Sequence, residues 1–123
     1  LFNLWDLYYQ GGGLMLNKHA LNQIANRISP MFANGAYTVD GVQKKVPIFR
    51  KEIDQEKSVI RVYLYLTDEH TGNFSEFKLL DENDNVIDTE PYEITKDEYK
   101  GMVIAFKYQI TAERLFDIID KEV

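Results

Sequence analysis

The chain contains no cysteine, only three prolines, two histidines and one tryptophan among its 123 residues. Without cysteine no disulfide can staple the fold, and no thiolate is present to act as nucleophile or metal ligand. The two histidines, His19 and His70, lie far apart in the chain. Neither belongs to a metal-spaced pair such as H-E-x-x-H. His70 follows Asp68-Glu69 and precedes Thr71-Gly72, which predicts a loop; His19 is expected on a helix surface. The serines Ser29, Ser58 and Ser75 have no G-x-S-x-G context, so none sits on a nucleophile elbow. No G-K-[ST] follows the glycine run, which excludes a phosphate loop there. No apolar run approaches the ~18 residues that would span a bilayer. The opening apolar stretch has no basic region before it, so it does not read as a signal peptide. These absences predict a protein that is not an enzyme, needs no cofactor and binds no metal.

What is present fits one globular domain. Hydrophobic residues make up 45% and charged residues 28% of the chain, ordinary values for a packed fold. A chain of this length can bury roughly two thirds of the surface that its unfolded form exposes. The net charge is −6, and much of it falls between Asp81 and Glu98. There Asp81, Glu82, Asp84, Asp88, Glu90, Glu93, Asp97 and Glu98 face the single base Lys96. Such a surface repels phosphate backbones, so nucleic acid is not an expected partner.

The first residues, LFNLWDLYYQGGG, stand apart. Leu1, Leu4, Trp5 and Tyr8 recur at i, i+3, i+4 and i+7, one stripe of a helix too short to persist in water. Gly11 to Gly13 follow as a flexible linker, and Met15 resembles an initiator. Residues 1–13 are therefore expected to be a fused or partner-derived peptide whose Leu1, Leu4, Trp5 and Tyr8 bind a protein surface, with residues 14–123 forming the domain. Within that domain Asn17 can cap a helix over residues 17–29, with Leu21, Ile24, Ile28 and Met31 on one side. Ser29-Pro30 ends it, and Asn34-Gly35 supplies a turn.

Residues 36–110 read as strands. Asp40-Gly41 suits a two-residue hairpin turn between Tyr37–Val39 and Val42–Phe49. Ser58–Thr67 alternates with period two and is apolar on both sides, the pattern of a central strand. Further strands are predicted at Phe74–Leu80, around Val86–Asp88 and at Gly101–Ile110. Ile60, Val62, Leu64, Ile104 and Phe106 are expected in the core. Thr111 can cap a short C-terminal helix carrying Leu115, Ile118 and Ile119. The expected fold class is mainly β, an antiparallel β-sandwich or rolled sheet with one N-terminal helix and a short C-terminal one. Asp81 to Asn85 has the opening spacing of an EF-hand loop, but Val86 stands where glycine is needed and Tyr92 where glutamate is needed. A hairpin turn without calcium is the expectation.

The run I-R-V-Y-L-Y-L-T-D-E-H-T-G-N-F-S-E-F-K-L-L-D-E-N-D-N-V-I, followed by E-I-T-K and M-V-I-A-F-K-Y-Q-I, resembles the N-terminal attachment module of phage tail-fibre and baseplate-associated proteins. In that likeness Glu76, Phe77, Leu79, Leu80, Asp81 and Lys96 occupy the module's positions. Lys78 stands where the family often has glycine, and Asn85 replaces a turn glycine. The helix from Asn17 has no counterpart. The resemblance implies a non-catalytic virion protein, assembled in the bacterial cytoplasm, that contacts sister proteins, and a closed homo-oligomer is the usual form of such assemblies. The acidic charge and the lack of a long apolar run predict no nucleic-acid and no membrane partner. The competing expectation is a small phage protein that inhibits a host protein, using an acidic surface of Asp81, Glu82, Asp84, Asp88, Glu90 and Glu93.

Overall fold

A computed structural model describes residues 16–112 except Tyr99. The predicted C-terminal helix and the peptide stripe Leu1, Leu4, Trp5 and Tyr8 lie outside those residues. One helix, α1 (Lys18–Ile28), leads into a 3-10 turn at Ser29–Met31. Six strands follow: β1 (Asn34–Val39), β2 (Val42–Asp54), β3 (Val59–Leu66), β4 (Gly72–Leu80), β5 (Val86–Lys96) and β6 (Met102–Gln109). They form one sheet in the order β5-β4-β1-β2-β3-β6, with every neighbouring pair antiparallel.

The sheet is curled, and the long strand β2 is where it turns. Its first part, Val42 to Pro47, pairs with β1, and its second part, Ile48 to Asp54, pairs with β3. Pro47, which has no N–H to give a ladder, stands at the change of partner. Phe49 is the extra residue of a bulge, because Ile48 pairs with Leu64 and Arg50 with Tyr63. Bulges bend and twist the strand that carries them. Of the two expected forms, sandwich or rolled sheet, the continuous strand order is that of a single curled sheet.

Contact across the roll is direct. A Cβ added to Gly35 on β1 would lie 2.3 Å from a methyl of Leu64 on β3, two strands away. Asn34-Gly35 is accordingly the start of a strand and not a turn; glycine is there because Leu64 occupies its side-chain space. Ile60, Val62, Leu64, Leu66, Phe74, Phe77 and Leu79 are fully buried, and Phe106 joins the same core. Ile104 is only half-buried and packs against it.

The helix closes one end. Asn17 caps it, its Oδ1 accepting from the Ala20 N–H at 2.9 Å, as a short polar side chain before a helix does. Leu21 and Ala25 are its buried residues, while Met31 is exposed, because the tighter 3-10 turn takes it off the helical stripe. Asn22 ties the helix to the β2–β3 turn: its amide donates to the Gln55 carbonyl, and its Oδ1 accepts from Ser58 Oγ, both at 2.8 Å. Phe32, just past the turn, stacks on Tyr108 of β6 with ring centroids 5.2 Å apart.

The β1–β2 and β4–β5 hairpin turns differ in construction. Asp40 and Gly41 both take positive φ, the geometry of a tight two-residue hairpin. In the β4–β5 turn it is Asp84 that adopts the left-handed conformation, not Asn85. Asp81 organises that turn by accepting from the backbone N–H groups of Asn83 and Asn85, each at 2.9 Å. These bonds, that from Asn85 foremost, hold the Asp81 carboxyl below the usual carboxylate range.

Candidate functional site

The curl brings β5 and β6, the two edges of the sheet among the described residues, to the two sides of one opening. Every second residue of β5, Asp88, Glu90, Tyr92 and Ile94, lines a cavity of about 470 Å³ together with β6. Those four share a face because side chains alternate along a strand. The face is the inner one: Asp88 pairs with Leu79 and Glu90 with Phe77, both core residues. The floor is apolar, formed by Phe77, Ile94, Ile104 and Phe106.

Among the described residues one side-chain bond spans the opening. The Tyr108 hydroxyl donates to Asp88 Oδ2. Burial, then this bond and the charges of Asp88 and Glu90, push the Tyr108 phenol far above its ordinary value. Proton loss there would place a second anion beside a carboxylate in a half-buried site. Towards Ile94 and Met102 no such clasp is present among the described residues. No backbone ladder joins β5 to β6, which stand at opposite ends of the strand order.

A second feature lies on the outer, convex face. Tyr65 pairs with Val103 and Tyr63 with Ala105, and the bulge turns Phe49 outward, where its ring lies 5.4 Å from that of Tyr65. Phe49 is 61% exposed, Val103 52% and Tyr65 38%. Apolar residues of three neighbouring strands therefore meet in open solvent, a grouping that marks contact surfaces more often than scattered single residues do. The alternation of Ser58–Thr67 exposes the tyrosines to view in the sequence. The bulge at Phe49 has no such signal.

The acidic residues expected to act together are divided. Asp81, Glu82 and Asp84 belong to the β4–β5 turn, where Lys45 pairs with Asp84 at 2.6 Å. Asp88 and Glu90 point into the cavity. Glu93 lies on the other side of the strand, beside Asn73, Ser75 and Thr95. Strand alternation separates residues that look contiguous in sequence. Among the positions of the attachment-module resemblance, Phe77, Leu79 and Leu80 are core, and Glu76 accepts from Thr38 Oγ1 at 3.0 Å and pairs with Lys78 at 3.1 Å. Lys96 is 2% exposed and donates to the Asp97 carbonyl at 3.2 Å.

His70 lies in the β3–β4 loop, its Nδ1 accepting from the Thr67 N–H at 3.0 Å, and His19 is on the exposed side of α1. Among the described residues no three His, Asp or Glu side chains gather in a way that could hold a metal ion, and no helix is long and apolar enough to cross a membrane. No family model, curated protein or solved structure matches the chain.

Proposed function

We propose that this protein is a non-enzymatic phage virion component, of the tail-fibre or baseplate kind, that works through protein–protein contacts. The observation that supports this reading is the exposed cluster of Phe49, Tyr65 and Val103 on the convex face of β2, β3 and β6. Aromatic side chains on a rigid sheet offer large contact area at low entropy cost, and residues of this type dominate interface energetics. The attachment-module resemblance gives the contact its setting, and a closed ring of identical copies is the form such an assembly would take.

Sedimentation of the full chain over a wide concentration range tests the proposal. A discrete closed oligomer is expected, and Phe49→Lys should return it to monomer with little change in melting temperature, since the residue is already exposed. A chain that stays monomeric at every concentration, or an oligomer indifferent to Phe49→Lys and Val103→Lys, counts against the outer face as the assembly contact.

A further inference from the structure

We propose that the opening between β5 and β6 is a receptor site for an extended segment of a partner chain, which adds as a strand to the β6 edge. The site is separate from the convex face, and the inference does not depend on what that face binds.

Three observations carry it. An edge strand presents a row of unpaired N–H and C=O groups, and folded proteins defend such edges with proline, bulges and charges. β5 is defended by all three: it contains Pro91, its ladder with β4 shifts register twice, and Asp88 and Glu90 point inward from it. β6 has neither the proline nor the bulges. It pairs with β3 over eight consecutive residues without a bulge, contains no proline or glycine, and carries one charge, Lys107, on its outer face. An edge guarded by a single charge beside one guarded by proline, bulges and two acids, across a cavity of about 470 Å³, is an edge kept available for pairing. Strand addition is a common way in which proteins bind extended peptides, the backbone supplying affinity and pockets for alternate side chains supplying selection.

The lining specifies the occupant. Towards Met102 the inner wall is Ile94, Met102 and Ile104, which would receive small apolar side chains at alternate positions. Further along, Glu90 reaches the cavity and makes no ion pair with a described residue. Asp88 beyond it is engaged by Tyr108, which closes that end. The matching segment carries two inward valines or similar residues, then an inward lysine or arginine opposite Glu90. A folded second copy is a poorer occupant, because its own sheet would have to displace β5 to reach β6.

The test uses the full chain and a synthetic peptide, Thr-Val-Thr-Val-Thr-Lys-Thr, with a control in which glutamate replaces the lysine. Amide hydrogen exchange followed by NMR reports on β6 directly. At millimolar peptide, exchange at residues 103–107 should slow by about tenfold or more, as newly paired edge amides do. The glutamate control should have little effect on the native chain and should become the better ligand for Glu90→Lys. Unchanged β6 exchange with both peptides overturns the proposal. So does equal protection by both, which would mean that Glu90 is not read, or protection that rises with protein concentration alone, which would assign the edge to a second copy.

Discussion

The two ends of the sheet, β5 and β6, are built on opposite principles. β6 belongs to the core: Phe106 is buried, and Met102, Ile104 and Tyr108 pack against the same cluster. β5 is mostly exposed along its length, carries proline and inward acids, and contributes chiefly Ile87 and Ile94 to packing. One edge is thus well packed with a single charge to defend it, and the other loosely packed but defended by proline, bulges and acids. The difference shows packing and edge protection traded against each other in these two strands. A regular apolar ladder gives β6 its place in the core, and among the described residues no strand pairs with its outer side. The proline, bulges and charges that protect β5 from pairing also loosen its fit.

The largest expected effect sharpens this contrast directly. Phe106→Ala should cost about 3–5 kcal/mol in urea unfolding, the usual range for removing a buried aromatic. Ile94→Ala on β5 should cost about 1 kcal/mol, because the side chain is only half-buried. Equal losses would mean that β5 is as much a part of the core as β6.

The next effect bears on the curl that brings the edges together. Gly35→Ala forces a methyl against Leu64, which is fully buried and cannot move into solvent. Overpacking of this kind costs about 1–3 kcal/mol. In a double-mutant cycle Leu64→Ala should remove most of that penalty, since it vacates the space that the added methyl needs. Additive losses would show that β1 and β3 do not meet across the roll in solution.

How much of this was legible depends on whether local pattern or distant contact decides each element. β3, β4 and β6 follow from period-two alternation, and α1 from its cap and apolar spacing. The alternation predicts β5 only around Val86 to Asp88, because Pro91 and the acids break it, yet the strand continues to Lys96 with Pro91 opposite Glu76 and Glu90 opposite Phe77. Likewise β2 runs past Phe49 to Asp54, a stretch where charged residues hide the pattern. Asn34-Gly35 looks like a turn to any local rule, since nothing nearby in sequence announces Leu64. The curl itself rests on β2 changing partners at Pro47, a non-local choice. The cavity inherits that opacity: Asp88 and Tyr108 are brought together only by the roll.

The smallest effect concerns the clasp between the two edges. Tyr108→Phe keeps the ring that stacks on Phe32 and removes only the hydroxyl that donates to Asp88. Hydrogen bonds to charged acceptors contribute about 1.5–3 kcal/mol when buried, and partial exposure here reduces the expected loss to about 1 kcal/mol. The pH dependence gives the change a signature. The phenol is held protonated in the folded protein well above its ordinary range, whereas in the unfolded chain it ionises near pH 10. Its contribution is therefore complete below pH 10 and is lost as pH rises towards the folded value, because ionisation then favours the unfolded state. Between pH 8 and pH 11 the native chain should lose more stability than Tyr108→Phe, so the gap between their urea midpoints should narrow. Buried Tyr37, whose phenol is also raised by burial, is common to both proteins and cancels in the comparison. A constant gap across that range would show that Tyr108 is not shielded by Asp88, and that the two edges are held together by the sheet alone.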